Sequence, residues 1–208
     1  MTRFHGKRPE IAAHYAKYPV PLAAIAPFTA EEAAGAYALM KDAHNIDTYG
    51  ESDKAYPSAV CYYRAPFLGD YAARVKRHIR PYLDYDIVET YWYARLYGMG
   101  DKLDMHVDRG ACFVSVSVCF GYDFNDLFPA GSAWPLFTQS AGADGAAQDV
   151  PFDLQPGGGM LYPGCWAPHW RDVFLGERCG QAFFHFVPDD AAVFGEYFGD
   201  TDKGRGAR

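Results

Sequence analysis

The chain has 208 residues, half of them apolar and 17% aromatic. That is enough to bury a full core in one domain, and too hydrophobic for a disordered chain. A formal net charge of -7 and a pI near 5.4 argue against broad electrostatic binding of nucleic acid, which needs a basic surface. The five cysteines are odd in number and form no CxxC pair, which argues against a disulfide framework or a zinc knuckle.

The start of the chain, Met1-Thr2-Arg3-Phe4-His5, lacks the apolar core of a signal peptide, and no run of 18 apolar residues follows. A cytoplasmic protein is the expectation. Thr29-Ala30-Glu31-Glu32 reads as a capping box opening a helix that runs to about His44. Ala59 to Tyr63 reads as a strand, and a second helix spans Asp70 to Arg80, stopped by Pro81. The basic cluster Arg74-Val75-Lys76-Arg77-His78 is then one solvated face of that helix.

From Ile87 onward the pattern changes to short β-prone runs separated by Gly, Pro, Asp and Asn. They are Ile87–Tyr97, Leu103–Val107, Cys112–Phe120, Trp134–Thr138, Gly159–Tyr162 and Gly180–Val187. Six such runs predict a sandwich or barrel. The overall expectation is a mostly β chain with supporting N-terminal helices (α+β). One domain covers 1–208: 1–86 is mainly helical support with an edge strand, 87–187 is the β core, and 199–208 is a frayed tail. Ser140 to Ala147 is small and flexible in composition and reads as an exposed loop.

The chain has seven histidines, and His106-Val107-Asp108 stands out among them. On a strand, residues i and i+2 share a face, so both side chains can reach one metal ion. Two imidazoles and a carboxylate suit mononuclear Fe(II) and leave three coordination positions open. The third ligand is His169 or His185. In the last strand Arg178, Gly180, Ala182, Phe184 and Phe186 have one parity, and Cys179, Gln181, Phe183 and His185 have the other. If Arg178 faces the pocket, Gly180 and Ala182 leave room for a ligand and His185 faces away, so His169 is the expected ligand.

Tyr97-x-x-Gly100, His106-x-Asp108, Pro156-Gly157-Gly158-Gly159, His169 and Arg178 together resemble the Fe(II)/2-oxoglutarate-dependent dioxygenases, in the style of the prolyl-4-hydroxylase-like branch. The resemblance covers about residues 87–187. It implies a double-stranded β-helix (a jelly roll, cupin-like) with the metal at one open end. It implies that His106, Asp108 and His169 hold the iron and form the catalytic set. Arg178 would pair bidentately with the distal carboxylate of 2-oxoglutarate. Tyr97 would hydrogen-bond the same carboxylate. Ser115 and Ser117 share a face of the strand after Asp108, where they either contact the co-substrate or only fill space. O2 is the second co-substrate, with ascorbate as a candidate reductant. The retained Asp108 points to oxygenation rather than halogenation.

Candidate substrate residues are Tyr93 and Arg95, which share a strand face with Tyr97, together with Arg109, Arg171 and Trp134. An aromatic core stripe and surface ion pairs are the competing readings. A small polar metabolite or amino acid is the expected substrate. The alternatives are a prolyl or other side chain of a protein, and a cupin-like hydrolase or isomerase that uses the metal without 2-oxoglutarate. The aromatic segment from Gly121 to Phe128 reads as a lid. Neither a membrane nor a nucleic acid is expected as a partner, and the oligomeric state is left open.

Overall fold

The computed structural model describes residues 9–42, 50–53, 56–141 and 146–199. Two antiparallel sheets face each other. The larger has seven strands in the order β1 (Ala23–Ile25), β9 (Gly159–Tyr162), β6 (Val114–Asp123), β11 (Arg178–Pro188), β4 (Ile87–Gly98), β3 (Tyr56–Tyr63) and β2 (Gly50–Asp53). The smaller has the order β5 (Leu103–His106), β10 (His169–Arg171), β7 (Leu136–Ala141) and β8 (Ala147–Phe152). Helices α1 (Pro9–Lys17), α2 (Ala30–Lys41), α3 (Gly69–Ile79) and the short α4 (Ala191–Phe194), with four single 3-10 turns, complete the described elements. The chain is therefore mostly β with supporting helices.

The capping box forms as expected. The Glu32 amide donates to the Thr29 hydroxyl at 3.2 Å, and the Thr29 amide donates to the Glu32 carboxylate at 2.9 Å. Helix α2 ends at Lys41, and the expected last turn to His44 lies outside the described residues. In α3, Ala72, Val75 and Ile79 make the buried stripe. The basic cluster occupies its outer face and last turn, where cations suit the helix dipole, and Arg74 pairs with Glu32 at 2.8 Å.

The first 86 residues contribute helices α1 to α3 and three strands, with β1 and β2 at the two edges of the large sheet and β3 inside it. Ser140, Ala141 and Ala147, expected in a loop, pair within the β7–β8 hairpin, while 142–145 lie outside the described residues. The expected tail from 200 onward also lies outside them. No helix among the described residues is long and apolar enough to cross a membrane. All five cysteines are free thiols.

The two faces of the large sheet build two different cores. Leu96, Ala94, Gly180, Ala182, Phe184, Val116 and Val118 turn toward α2 and α3. The other face turns toward the small sheet. Cross-strand partners on it form rows: Tyr97, Cys179 and Tyr122; Arg95, Gln181 and Cys119; Tyr93, Phe183 and Ser117; Tyr91, His185 and Ser115. Aromatic residues fill the far end of this inter-sheet layer, and polar groups accumulate toward the other.

Tyr122, Phe128, Trp134 and Phe174 belong to the inter-sheet core, with Phe128 edge-on to Phe174 at 5.2 Å between centroids. The aromatic content of the segment expected to be a lid is thus largely explained by packing, although Phe124 and Leu127 remain exposed.

Candidate metal centre

His106 is the last residue of β5 and pairs directly with His169, the first residue of β10. The antiparallel pairing brings the two rings to 4.3 Å between centroids. Asp108 lies beyond the strand, so the strand alternation expected to align it does not operate. Its amide instead donates to the Gly164 carbonyl at 2.9 Å, which turns its carboxylate back toward the histidines. Asp108 Oδ1 then sits 3.5 Å from His106 Nε2 and 3.6 Å from His169 Nε2. Ligand atoms at about 2.1 Å from one ion and at right angles lie about 3 Å apart, so the three donors need only a small contraction around an ion.

The ring orientations are fixed from behind. His106 Nδ1 donates to the Asp104 carbonyl at 2.8 Å, and His169 Nδ1 donates to the Ala167 carbonyl at 3.0 Å. Each contact engages an Nδ1–H, so Nε2 is the ring nitrogen turned toward Asp108 and the one placed to take a metal. Burial alone would raise the Asp108 carboxyl, but His169, His106 and His185 outweigh it and hold it well below the usual carboxylate range. Burial pulls the His106 imidazole down, and Asp108 with the Asp104 carbonyl outweighs that and raises it. The set is open on one side: the His106 side chain is 40% exposed, against 3% for His169.

Arg178 is not in this layer. It is exposed at the start of β11 and pairs with Gly98, whereas its neighbour Cys179 pairs with Tyr97 on the site face. The expected parity is therefore inverted. Gly180 faces α2, where a Cβ would lie 2.6 Å from the Tyr37 ring. The space expected to hold a ligand holds that ring instead. Tyr37 also donates its hydroxyl to the Arg178 carbonyl at 3.3 Å. His185, expected to face away, faces the site: a ligand atom of His185, one of Cys112 and one of Asp108 all lie within 4.8 Å of one another. Even so, His169 is the histidine that closes the open set with His106.

The buried cations of the layer are Arg171 and Arg95. Arg171, expected to form a surface ion pair or touch substrate, is 1% exposed and among the largest fully buried side chains. It stands two residues after His169 on β10, with the half-buried Trp170 between them, so the two share a face. Its Nη1 donates to the Trp134 carbonyl, its Nη2 donates to Gln181 Oε1 at 3.1 Å, and its guanidinium stacks over the Trp134 ring at 4.9 Å. Its Nε has no partner, and no carboxylate among the described residues pairs with it. Arg95 is also buried; it donates to the Tyr97 hydroxyl at 3.4 Å and to Cys61 Sγ at 3.2 Å. Tyr97 stands edge-on to Trp134 at 5.0 Å, linking the two guanidinium groups.

Tyr93 stacks on Phe183 at 4.6 Å and keeps part of its surface open. Arg109 lies over the Tyr91 ring at 4.5 Å. Trp134 is buried with its Nε1 donating to the Asp172 carbonyl at 2.8 Å. Ser115 is fully buried with its hydroxyl 3.3 Å from Asp108 Oδ2, so it touches the carboxylate of the set. Gln181, Gly164 and the inward face of His185 escaped the sequence reading. That residues 169 and 171 share a face emerges only once Trp170 is placed on a strand.

No protein-family model matches the sequence, and no curated protein matches it. Solved structures do. A Burkholderia pseudomallei oxidoreductase of the 2OG-Fe(II) oxygenase family is 14% identical, with 88% of this chain and 90% of that chain covered at a TM-score of 0.58. A Pseudomonas putida prolyl-4-hydroxylase is 15% identical, covering 87% and 98% at 0.57. HygX from Streptomyces hygroscopicus, with nickel, 2-oxoglutarate and hygromycin B bound, is 12% identical, covering 91% and 88% at 0.60. The chain has the fold of 2OG-Fe(II) oxygenases.

Proposed function

We propose that the protein is a non-haem Fe(II)- and 2-oxoglutarate-dependent dioxygenase. The two facing sheets are then the double-stranded β-helix of that family, within one domain. His106, Asp108 and His169 hold the iron, which supplies O2 activation coupled to decarboxylation of 2-oxoglutarate to succinate. The donor set fits: two imidazoles and one ionised carboxylate converge from one side and leave the other open.

The observation that carries the reading is Arg171. An unpaired guanidinium is costly to bury, and a bound anion offsets that cost. Two residues of strand span about 6.6 Å, close to the extended length of a five-carbon dicarboxylate. A molecule chelated beside His169 would then reach Arg171 with its far carboxylate. The unpartnered Arg171 Nε and Ser117 Oγ are both buried on this layer and offer further polar contacts. Arg171 takes the role first expected of Arg178, with Tyr97 and Gln181 orienting the carboxylate pocket. A cupin-like hydrolase or isomerase has no use for such an anchor.

We assign the substrate to small polar metabolites or amino acids, approaching from the His106 side past Tyr93 and Arg109, in a cytoplasmic enzyme with free thiols. HygX, whose structure holds hygromycin B, shares the fold, as does a prolyl-4-hydroxylase, so a protein side chain is the competing substrate class. Succinate release is the test, measured with Fe(II), 2-oxoglutarate, O2 and ascorbate across amino acids, peptides and small metabolites. The reading requires a small-molecule hit, and activity lost in His169→Ala. Peptide-only turnover rejects the substrate class, and succinate release unaffected by His169→Ala rejects the metal set.

A further inference from the structure

The two oxygens of Asp108 have different surroundings. Oδ1 faces both histidines, at 3.5 and 3.6 Å. Oδ2 faces the Ser115 hydroxyl at 3.3 Å. Ser115 in turn lies 3.0 Å from His185 Nδ1 and 3.0 Å from the Cys112 carbonyl. We propose that Ser115, oriented by His185, is a positioning residue that holds Asp108 Oδ2 away from the metal, so that the carboxylate binds through one oxygen only. This rests on the metal reading above.

The direction of the chain of hydrogen bonds follows from what is buried. His185 is 2% exposed and its Nε2 has no partner. A neutral imidazole carries one proton, and an orphaned buried N–H is rarer and costlier than an orphaned lone pair. The proton therefore sits on Nδ1 and donates to Ser115 Oγ. The serine oxygen is then engaged as acceptor, and its own proton is directed to Asp108 Oδ2 and the Cys112 carbonyl. The imidazole is clamped in turn: the Tyr91 ring lies tilted against it at 4.6 Å, and Ser115 and His185 are direct cross-strand partners on β6 and β11.

The backbone makes room for this contact. A Cβ on Gly164 would collide with Ser115 Oγ and the Cys112 carbonyl and lie 2.7 Å from Asp108 Oδ2. The same glycine accepts the Asp108 amide through its carbonyl. Gly164 thus fixes the main chain of Asp108 while leaving space for Ser115 to fix its side chain. Cys112 and His185 also lie near Asp108, but both are buried and already engaged, Cys112 Sγ with the Tyr91 hydroxyl at 3.0 Å and His185 Nδ1 with Ser115, whereas the His106 side is open.

A carboxylate bound through both oxygens would take one of the three open positions. Two are needed for a chelating keto acid and one for O2, so the restraint on Oδ2 keeps the reaction geometry available. Titration of the metal-free protein with Co(II), followed by calorimetry and by the d–d absorption of the bound ion, tests this. Ser115→Ala is expected to weaken Co(II) binding 10- to 100-fold, the range typical for loss of a group that orients a ligand. Its d–d absorption should also change as the second carboxylate oxygen enters the coordination shell. His185→Phe should move both readouts the same way. His185→Asn, whose amide nitrogen can take the place of Nδ1, should restore them. Ser115→Cys, which keeps the volume with a weaker donor, provides the same contrast if the alanine variant does not fold.

Wild-type affinity and an unchanged d–d spectrum in Ser115→Ala, with native near-UV circular dichroism, would overturn the inference. If Co(II) binding depends on His169 yet ignores Ser115, only this inference fails. If the wild-type protein binds no Co(II), the metal reading fails with it.

Discussion

Tyr97 and Cys179 face each other across β4 and β11, and that pairing turns Arg178 to the opposite side of the sheet. The cation of the inter-sheet layer is instead Arg171, carried by the strand that begins with His169. Steady-state kinetics separate the two arginines. Arg171→Leu should raise the KM for 2-oxoglutarate roughly 10- to 150-fold, the range for loss of a charged hydrogen bond. Arg178→Ala should leave it within about twofold, as expected of an exposed side chain. A large effect of Arg178→Ala with none from Arg171→Leu would reverse the assignment.

Gly180 supplies an independent check on the same geometry. A methyl group there meets the Tyr37 ring and, at 3.3 Å, Met40 Sδ. Gly180→Ala should destabilise the fold by about 1–3 kcal/mol through overpacking, leaving Co(II) and 2-oxoglutarate affinities unchanged. Denaturant titration and calorimetry on the one variant measure both. Altered 2-oxoglutarate binding would place Gly180 on the site face after all.

Gly164→Ala should behave differently, because its methyl group would strike the groups that orient Asp108. Stability and Co(II) affinity should fall together, the latter by at least about tenfold. Loss of stability with unchanged metal affinity would show that Asp108 does not depend on this approach.

The metal-free protein should lose stability in mild acid. Burial pulls the His185 pKa down to about 4, from about 6.5 when unfolded. The unfolded chain then binds the proton first, so this contribution is complete above pH 6.5 and is lost as pH falls toward 4. The shift corresponds to about 3 kcal/mol. Asp108, held below its usual range, acts in the same direction at lower pH. His106, raised, acts oppositely: its contribution is present below pH 6.5 and fades as pH rises through its folded value. Urea melts between pH 4 and 7 should show a slope that flattens in His185→Phe. An equal slope in that variant would remove His185 as its source.

Much of this was legible in the residues. The capping box and the long strands follow from local chemistry, and the residue types His106 and Asp108 mark the metal set. Parity was legible only within a strand. Which face of β11 meets the site depends on its register against β4 and on Tyr37 of α2 filling the space beside Gly180, and neither is encoded locally. Arg171 was obscured because His169–Arg171 is a three-residue strand in a Pro- and Gly-rich stretch, stabilised by β5 and β7 on either side rather than by its own propensity. Asp108 reached the set through a loop contact to Gly164, 56 residues away in sequence, although its proximity to His106 had suggested a strand.

Anaerobic absorption spectroscopy of the protein with Fe(II) and 2-oxoglutarate reads the metal set and the co-substrate site together. A visible charge-transfer band should appear only with both added, saturate at one equivalent of each, and be lost in His169→Ala. In Arg171→Leu it should require far more 2-oxoglutarate. No band at saturating Fe(II) and 2-oxoglutarate, or one indifferent to His169, would contradict the proposed function.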